Sequence, residues 1–130
     1  MKGLWLLPSR RRLVKLAGFF QAAMDNGIST PGAVLVQKDE FLELEYGKLV
    51  LPRGWSVLPT NADGFGDKFR EVWPAVKDLD WIGIACDDLR PRTPGWDRTL
   101  LSSLNCKNVV SCNDGLQGNL RMAGITVFSG

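Results

Sequence analysis

Histidine is absent from this 130-residue chain. Without imidazole there is no Ser-His-Asp or Cys-His nucleophilic pair, no haem ligation through imidazole, and little basis for a transition-metal cage. Any catalysis falls to carboxylates and backbone groups. Cysteine is also scarce: Cys86, Cys106 and Cys112 show no C-x-x-C spacing and lie beside apolar residues. That pattern predicts buried thiols in a reducing compartment and no zinc site. Long apolar runs are missing, so no membrane span is expected. The N-terminal "MKGLWLLPSRRR" has an apolar core, Gly3 to Leu7, too short for a secretory signal, and its basic cluster follows that core instead of preceding it. A cytoplasmic, soluble protein is the expectation. An excess of positive charge is missing as well: 16 Lys and Arg face 14 Asp and Glu, which argues against a nucleic-acid partner.

What is present describes one compact α/β domain over residues 1–130. Apolar residues make up 45% and charged residues 23%, close to globular averages, and neither an internal repeat nor a low-complexity linker divides the chain. "GLWLLP" and "AVLVQ" are short continuous apolar runs of the kind buried on both faces of a parallel sheet. Between them Leu13, Val14, Leu16, Ala17, Phe20, Ala23 and Met24 recur at helical spacing from Arg10, with Ser9 placed to cap and "DNG" at 25–27 as the stop. The result is a βαβ unit. An amphipathic stretch around Phe41 to Tyr46, breakers at Pro52 and Gly54 and a short strand at Trp55 to Leu58 follow. A helix begins near Gly66 or Asp67 with Phe69, Val72, Trp73 and Val76 on one face; Pro74 should kink or end it. "DWIGIAC" is a further buried strand, Gly95 to Leu104 reads as a helix with Thr93 or Asp97 near its start, and "NVVSC" and "GITVFS" complete the strands. Trp5, Trp73 and Trp81 fall in periodic or buried stretches and are expected in the core. Trp55 and Trp96 follow glycines and are expected in loops within reach of a ligand.

Ligands gather at the carboxyl ends of parallel strands, and three polar sets fall there: Ser9 with Arg10, Gln37 with Asp39, and Asp87 with Asp88. Paired carboxylates suit Mg²⁺ or Mn²⁺, which prefer oxygen ligands and share their coordination with water and phosphate. A turn closed by the same two side chains is an equal reading of a bare Asp-Asp pair. The cluster Arg10, Arg11, Arg12 and Lys15 reads first as a solvated opening turn of a helix and second as a phosphate contact. "NADGFGDK" puts Gly64 and Gly66 before a helix, where a glycine-rich turn can cradle an anion and Lys68 add charge. It lacks the G-x-x-x-x-G-K-[ST] and G-x-G-x-x-G arrangements, which leaves a plain loop leading into a helix as the simpler reading.

The order of "LLPSRRR" at 6–12 and "IACDDLRPRTPGWD" at 84–97, with an alternating α/β region between, resembles the nucleotide-binding half of GT-A type glycosyltransferases, including their phage and bacterial relatives. The resemblance implies a Rossmann-like, mostly parallel sheet flanked by helices. It implies a nucleoside diphosphate sugar as ligand, with Pro8, Ser9 and Arg10 lining the nucleotide site and a divalent Mn²⁺ or Mg²⁺ on Asp87 and Asp88, Asp88 touching it most directly. Asp63 and Lys68 are similar to residues that contact the nucleotide sugar. The motif departs from plain D-x-D, reading "CDD", and Arg11 and Arg12 thicken the basic loop. Members of that family continue into an acceptor-binding region, whereas this sequence stops at "ITVFSG".

Two readings stay open: a metal-dependent transferase or its donor-binding portion, acting on an unknown acceptor, and a binding or interaction module of the same fold without turnover. A nucleotidyltransferase-like protein is a third, disfavoured by the absence of a glycine-rich loop before the first helix. The only acid after Asp97 is Asp114, the sole late candidate for a catalytic base. An unfinished sheet at the C-terminus would favour a homo-oligomer.

Overall fold

A computed structural model describes residues 2–104 in full and the backbone of 109–111 and 125–129. Strands β1 (Gly3–Pro8), β2 (Gly32–Gln37), β3 (Trp55–Thr60) and β4 (Trp81–Ala85) are mutually parallel; β5 (Val109–Ser111) and β6 (Ile125–Ser129) extend the sheet, β6 running antiparallel to both its neighbours. The spatial order is β3-β2-β1-β4-β6-β5. This is the α/β, Rossmann-like sheet expected. Helix α1 (Leu13–Asp25), the short α2 (Lys38–Glu43), a 3₁₀ turn at Tyr46–Lys48 and α4 (Trp96–Ser102) border one core, while α3 (Phe65–Val76) packs on the opposite face. The chain first builds outward from β1 to β3. It then crosses by α3 to the other side of β1, which makes the gap between β1 and β4 the point where strand order reverses.

Glycine and tryptophan interlock across neighbouring strands. Register places Gly3 opposite Trp81, Trp5 between Gly83 and Gly32, and Gly32 opposite Trp55. Each indole lies over a neighbour's missing side chain: an added Cβ would come within 2.0 Å of the Trp81 ring at Gly3, 2.1 Å of Trp5 at Gly83 and 2.4 Å of Trp55 at Gly32. Trp5 also meets the Trp81 and Trp96 rings at centroid distances of 5.6 and 5.3 Å and donates Nε1–H to Thr30 Oγ1 at 2.7 Å. Burying each of these large side chains contributes roughly 1.5–3 kcal/mol or more.

Several expectations need correction. Trp55 and Trp96 are core residues, because the glycines before them set the backbone turn while the indoles face inward; Trp73 instead stands 54% exposed on α3. Pro74 does not itself end α3: the helix runs two residues further, to Val76. Helix α1 starts at Leu13, so Arg10–Arg12 form a loop and not a first helical turn; Val14 faces solvent, and Ser9 does not cap α1. Gln37 caps α2, its Oε1 accepting from the N–H groups of Asp39 and Glu40, and neither Gln37 nor Asp39 lines a cleft with the other strand-end groups. Asp97 turns back from α4, where its buried Oδ2 accepts from the N–H groups of Ser29 and Thr30 at 2.8 and 3.1 Å and from Thr30 Oγ1 at 2.7 Å. Cys106, Cys112 and the candidate base Asp114 lie outside the described residues.

Candidate functional site

The carboxyl ends of β1 and β4 open onto a cleft of about 310 Å³ lined by Pro8, Ser9, Arg10, Arg12, Asp63, Gly64, Phe65, Lys68, Cys86, Asp87 and Asp88. All seven residues singled out around the basic loop, the middle loop and the acid pair therefore share one wall-to-wall space. Arg12 joins them in line with the second, phosphate-contact reading of its cluster, whereas Phe65 and Cys86 are not assigned a place there by the sequence; the position of Cys86 beside "DD" is the available signal. A larger cavity of about 510 Å³ lies under α3, but its only ionisable wall group, Glu71, is committed to the N–H groups of Asn61 and Ala62. That cavity offers packing space without chemistry, so the smaller, charged cleft is the candidate site.

Strand β1 ends at Pro8, and the loop after it is held from several sides. Ser9 N–H continues the ladder to Leu35 O at 3.0 Å, while Ser9 Oγ donates to Asp87 Oδ2 at 3.0 Å. The Arg12 guanidinium lies 3.3 Å from Asp87 Oδ1 and 3.8 Å from Asp88 Oδ2. Asp87 is almost wholly buried, whereas the Asp88 side chain is half exposed. The two carboxylates thus converge on a single cationic group. On the opposite wall Arg10 pairs with Asp63 at 3.0 Å, in solvent, where such a pair contributes little stability. Gly64 precedes α3, and that helix presents its first unpaired N–H groups beside the cleft.

Lys68 enters from α3 and is 1% exposed; its Nζ donates to the Ser9 carbonyl at 2.7 Å. Burial lowers its pKa, against the raising influence of Glu40 and Asp63. Lys68 therefore braces the loop from below and does not stand free in the cleft. Burial likewise pushes the Cys86 thiol up, with Asp88 and Asp87 adding to the shift, so Cys86 stays protonated at neutral pH.

Beneath the loop, Tyr46 donates to Glu40 Oε2 at 2.8 Å. Burial, the hydrogen bond to Glu40 and its negative charge hold the Tyr46 phenol well above its ordinary value of 10.0. The folded protein then keeps a proton that the unfolded chain loses, so this group's contribution to stability is complete below the unfolded pKa and is lost as pH rises beyond it. Lys68 acts in the opposite sense, its lowered pKa making stability rise with pH toward the ordinary 10.5. Tyr46→Phe is expected to remove the Tyr46 part alone. Denaturant midpoints at about pH 9 and about pH 11 should fall less between the two in the variant than in the parent protein. Equal falls would refute the assignment.

Among the described residues no group of three or more Cys, Asp and Glu side chains forms a ready cation cage, and no helix is long and apolar enough to cross a membrane. Asp87 and Asp88 nevertheless fit a hard divalent ion in donor type and in aim, since both already turn toward the same cation, Arg12.

No family model and no curated protein matches the chain. Among solved structures, the apo-form glycosyltransferase GlyE of Streptococcus pneumoniae TIGR4 is similar with a TM-score of 0.56 and 14% sequence identity, over 99% of this chain and 34% of that one. At that identity the likeness is one of fold. The chain has a glycosyltransferase-like α/β fold and spans about a third of the length of that enzyme.

Proposed function

We propose that the cleft binds a nucleoside diphosphate sugar, with Mn²⁺ or Mg²⁺ held by Asp87 and Asp88, in the manner of a GT-A type donor site. One observation carries this reading: the Pro8-Ser9-Arg10 loop and the acid pair face each other at the ends of adjacent strands, across the point where strand order reverses. Arg10 and Arg12 supply positive charge for a diphosphate, and the N-terminus of α3 adds unpaired N–H donors. Phe65, 56% exposed at the rim, offers an apolar ring face to a nucleobase. A bound divalent ion would act as a Lewis acid toward the departing diphosphate. The protein's own part is to aim two carboxylates at the ion and two guanidinium groups at the phosphates.

A non-catalytic nucleotide-binding or interaction module is the second reading, favoured by a specific feature. Every carboxylate lining the cleft is already paired with arginine, Asp63 with Arg10 and Asp87 and Asp88 with Arg12, which leaves no free base for an acceptor hydroxyl among the described residues. Calorimetric titration with UDP-sugars and GDP-sugars, with and without Mn²⁺, combined with a sugar-release assay, separates the readings. Metal-dependent binding with release supports a transferase. The same binding without release supports the module, and no binding under any condition overturns both.

A further inference from the structure

Glu40 is 3% exposed and takes no part in lining the cleft, yet its carboxylate reaches the cleft's basic loop from below. One oxygen accepts the backbone N–H of Arg11 and the other accepts the Tyr46 hydroxyl. Arg11 has φ +51°, the one positive φ at a non-glycine among the described residues. A side chain with a Cβ adopts this left-handed conformation at a cost, so it persists only where surrounding contacts hold it. The Arg11 guanidinium pairs with Glu43 at 3.2 Å in solvent, which is too weak a tether to account for it. The buried, charge-assisted bond from Arg11 N–H to Glu40 is the stronger restraint.

The turn at Arg11 sorts the three arginines. Arg10 reaches Asp63 on one wall and Arg12 reaches Asp87 and Asp88 on the other, while Arg11 points away to Glu43. Arg10 and Arg12 line the cleft and Arg11 does not. We infer that Glu40 is a positioning residue that sets the Arg11 turn and thereby presents Arg10 and Arg12 together to a diphosphate. The inference rests on the nucleotide-binding reading above. Helix α2 begins directly after β2, with Gln37 capping it, which delivers Glu40 under the loop that leaves β1. Around Glu40 stand Arg11 N–H, the Tyr46 hydroxyl and the Lys68 ammonium, the last within electrostatic reach.

The test uses UDP and GDP as probes with Mn²⁺, by calorimetry, on the parent chain, Glu40→Ala, Glu40→Gln, Arg11→Gly and the double variant Glu40→Ala with Arg11→Gly. Amide hydrogen exchange at residue 11 is followed without nucleotide. Glu40→Ala is expected to weaken nucleotide binding about tenfold and to lose protection of the Arg11 amide. Glu40→Gln keeps an oxygen acceptor and should stay within about twofold. Glycine takes the left-handed conformation freely, so Arg11→Gly should restore most of the affinity lost in Glu40→Ala, which a purely structural role for Glu40 would not produce. Unchanged binding in Glu40→Ala, or a folded double variant that binds no better than Glu40→Ala, overturns the inference. An unprotected Arg11 amide in the parent chain overturns it whether or not nucleotide binds. A protected amide with no UDP or GDP binding refutes the nucleotide reading and, with it, this role for Glu40.

Discussion

Asp88→Ala should weaken Mn²⁺-dependent nucleotide binding by about 100-fold or more while leaving thermal stability almost unchanged, since even groups one step removed from a metal are worth about 10–100-fold in affinity. The Asp88 side chain is half exposed, and its 3.8 Å contact with Arg12 is a loose surface pair. Its removal should therefore cost under about 0.5 kcal/mol of stability. Asp87 behaves differently because it is buried and holds both Ser9 Oγ and Arg12. Asp87→Ala should lose binding and stability together, the stability by roughly 1–3 kcal/mol, because Ser9 Oγ loses its buried acceptor while the partly exposed Arg12 can turn to solvent. Calorimetry alongside thermal melts checks both. Wild-type affinity in Asp88→Ala would remove the acid pair from the site, and an Asp87→Ala protein as stable as the parent would contradict the buried network.

Gly83→Ala should destabilise the fold by about 3 kcal/mol, a large part of the roughly 5–15 kcal/mol that holds an ordinary domain folded. The new methyl group would sit 2.1 Å from the Trp5 ring. Trp5 cannot yield: it is fully buried, packed by Trp81 and Trp96, and anchored through Nε1 to Thr30. Gly66→Ala serves as the control. Nothing lies within 4 Å of a Cβ there and the position is helical, so that change should be neutral or stabilising by up to about 1 kcal/mol. Urea unfolding midpoints read both variants. A Gly83→Ala midpoint equal to the parent's would show that the interlocked glycines and tryptophans are not a constraint.

The elements with strong apolar runs were legible in order and type. "GLWLLP", "AVLVQ" and "WIGIA" are strands because they are too short and too evenly apolar for anything but a sheet covered on both faces. The helix of residues 13–25 ends where "DNG" predicts, with Gly27 at φ +76°. Aromatic placement was less legible. Trp55 and Trp96 follow glycines, a loop signal, but Trp55 fills the space over Gly32 on β2, which is a property of register, and Trp96 packs from α4 onto Trp5 and Phe19, which is a property of tertiary contact. Arg10–Arg12 were helical by periodicity alone. The left-handed turn at Arg11 depends on Glu40, 29 residues away, which no local pattern contains.

The sequence by itself determined the chemistry on offer: no imidazole, one acid pair at a strand end, one arginine cluster after another strand, and an alternation of elements that demands a parallel sheet. Only the tertiary structure decided that these groups meet. Strand order places β4 beside β1 and not beside β3, because the chain crosses by α3 to the far side of β1. Apolar periodicity records which faces are buried but carries no information about which strand is whose neighbour. That choice brings Ser9 to hydrogen-bond distance of Asp87, Arg12 between two carboxylates, and Lys68 under the loop they share.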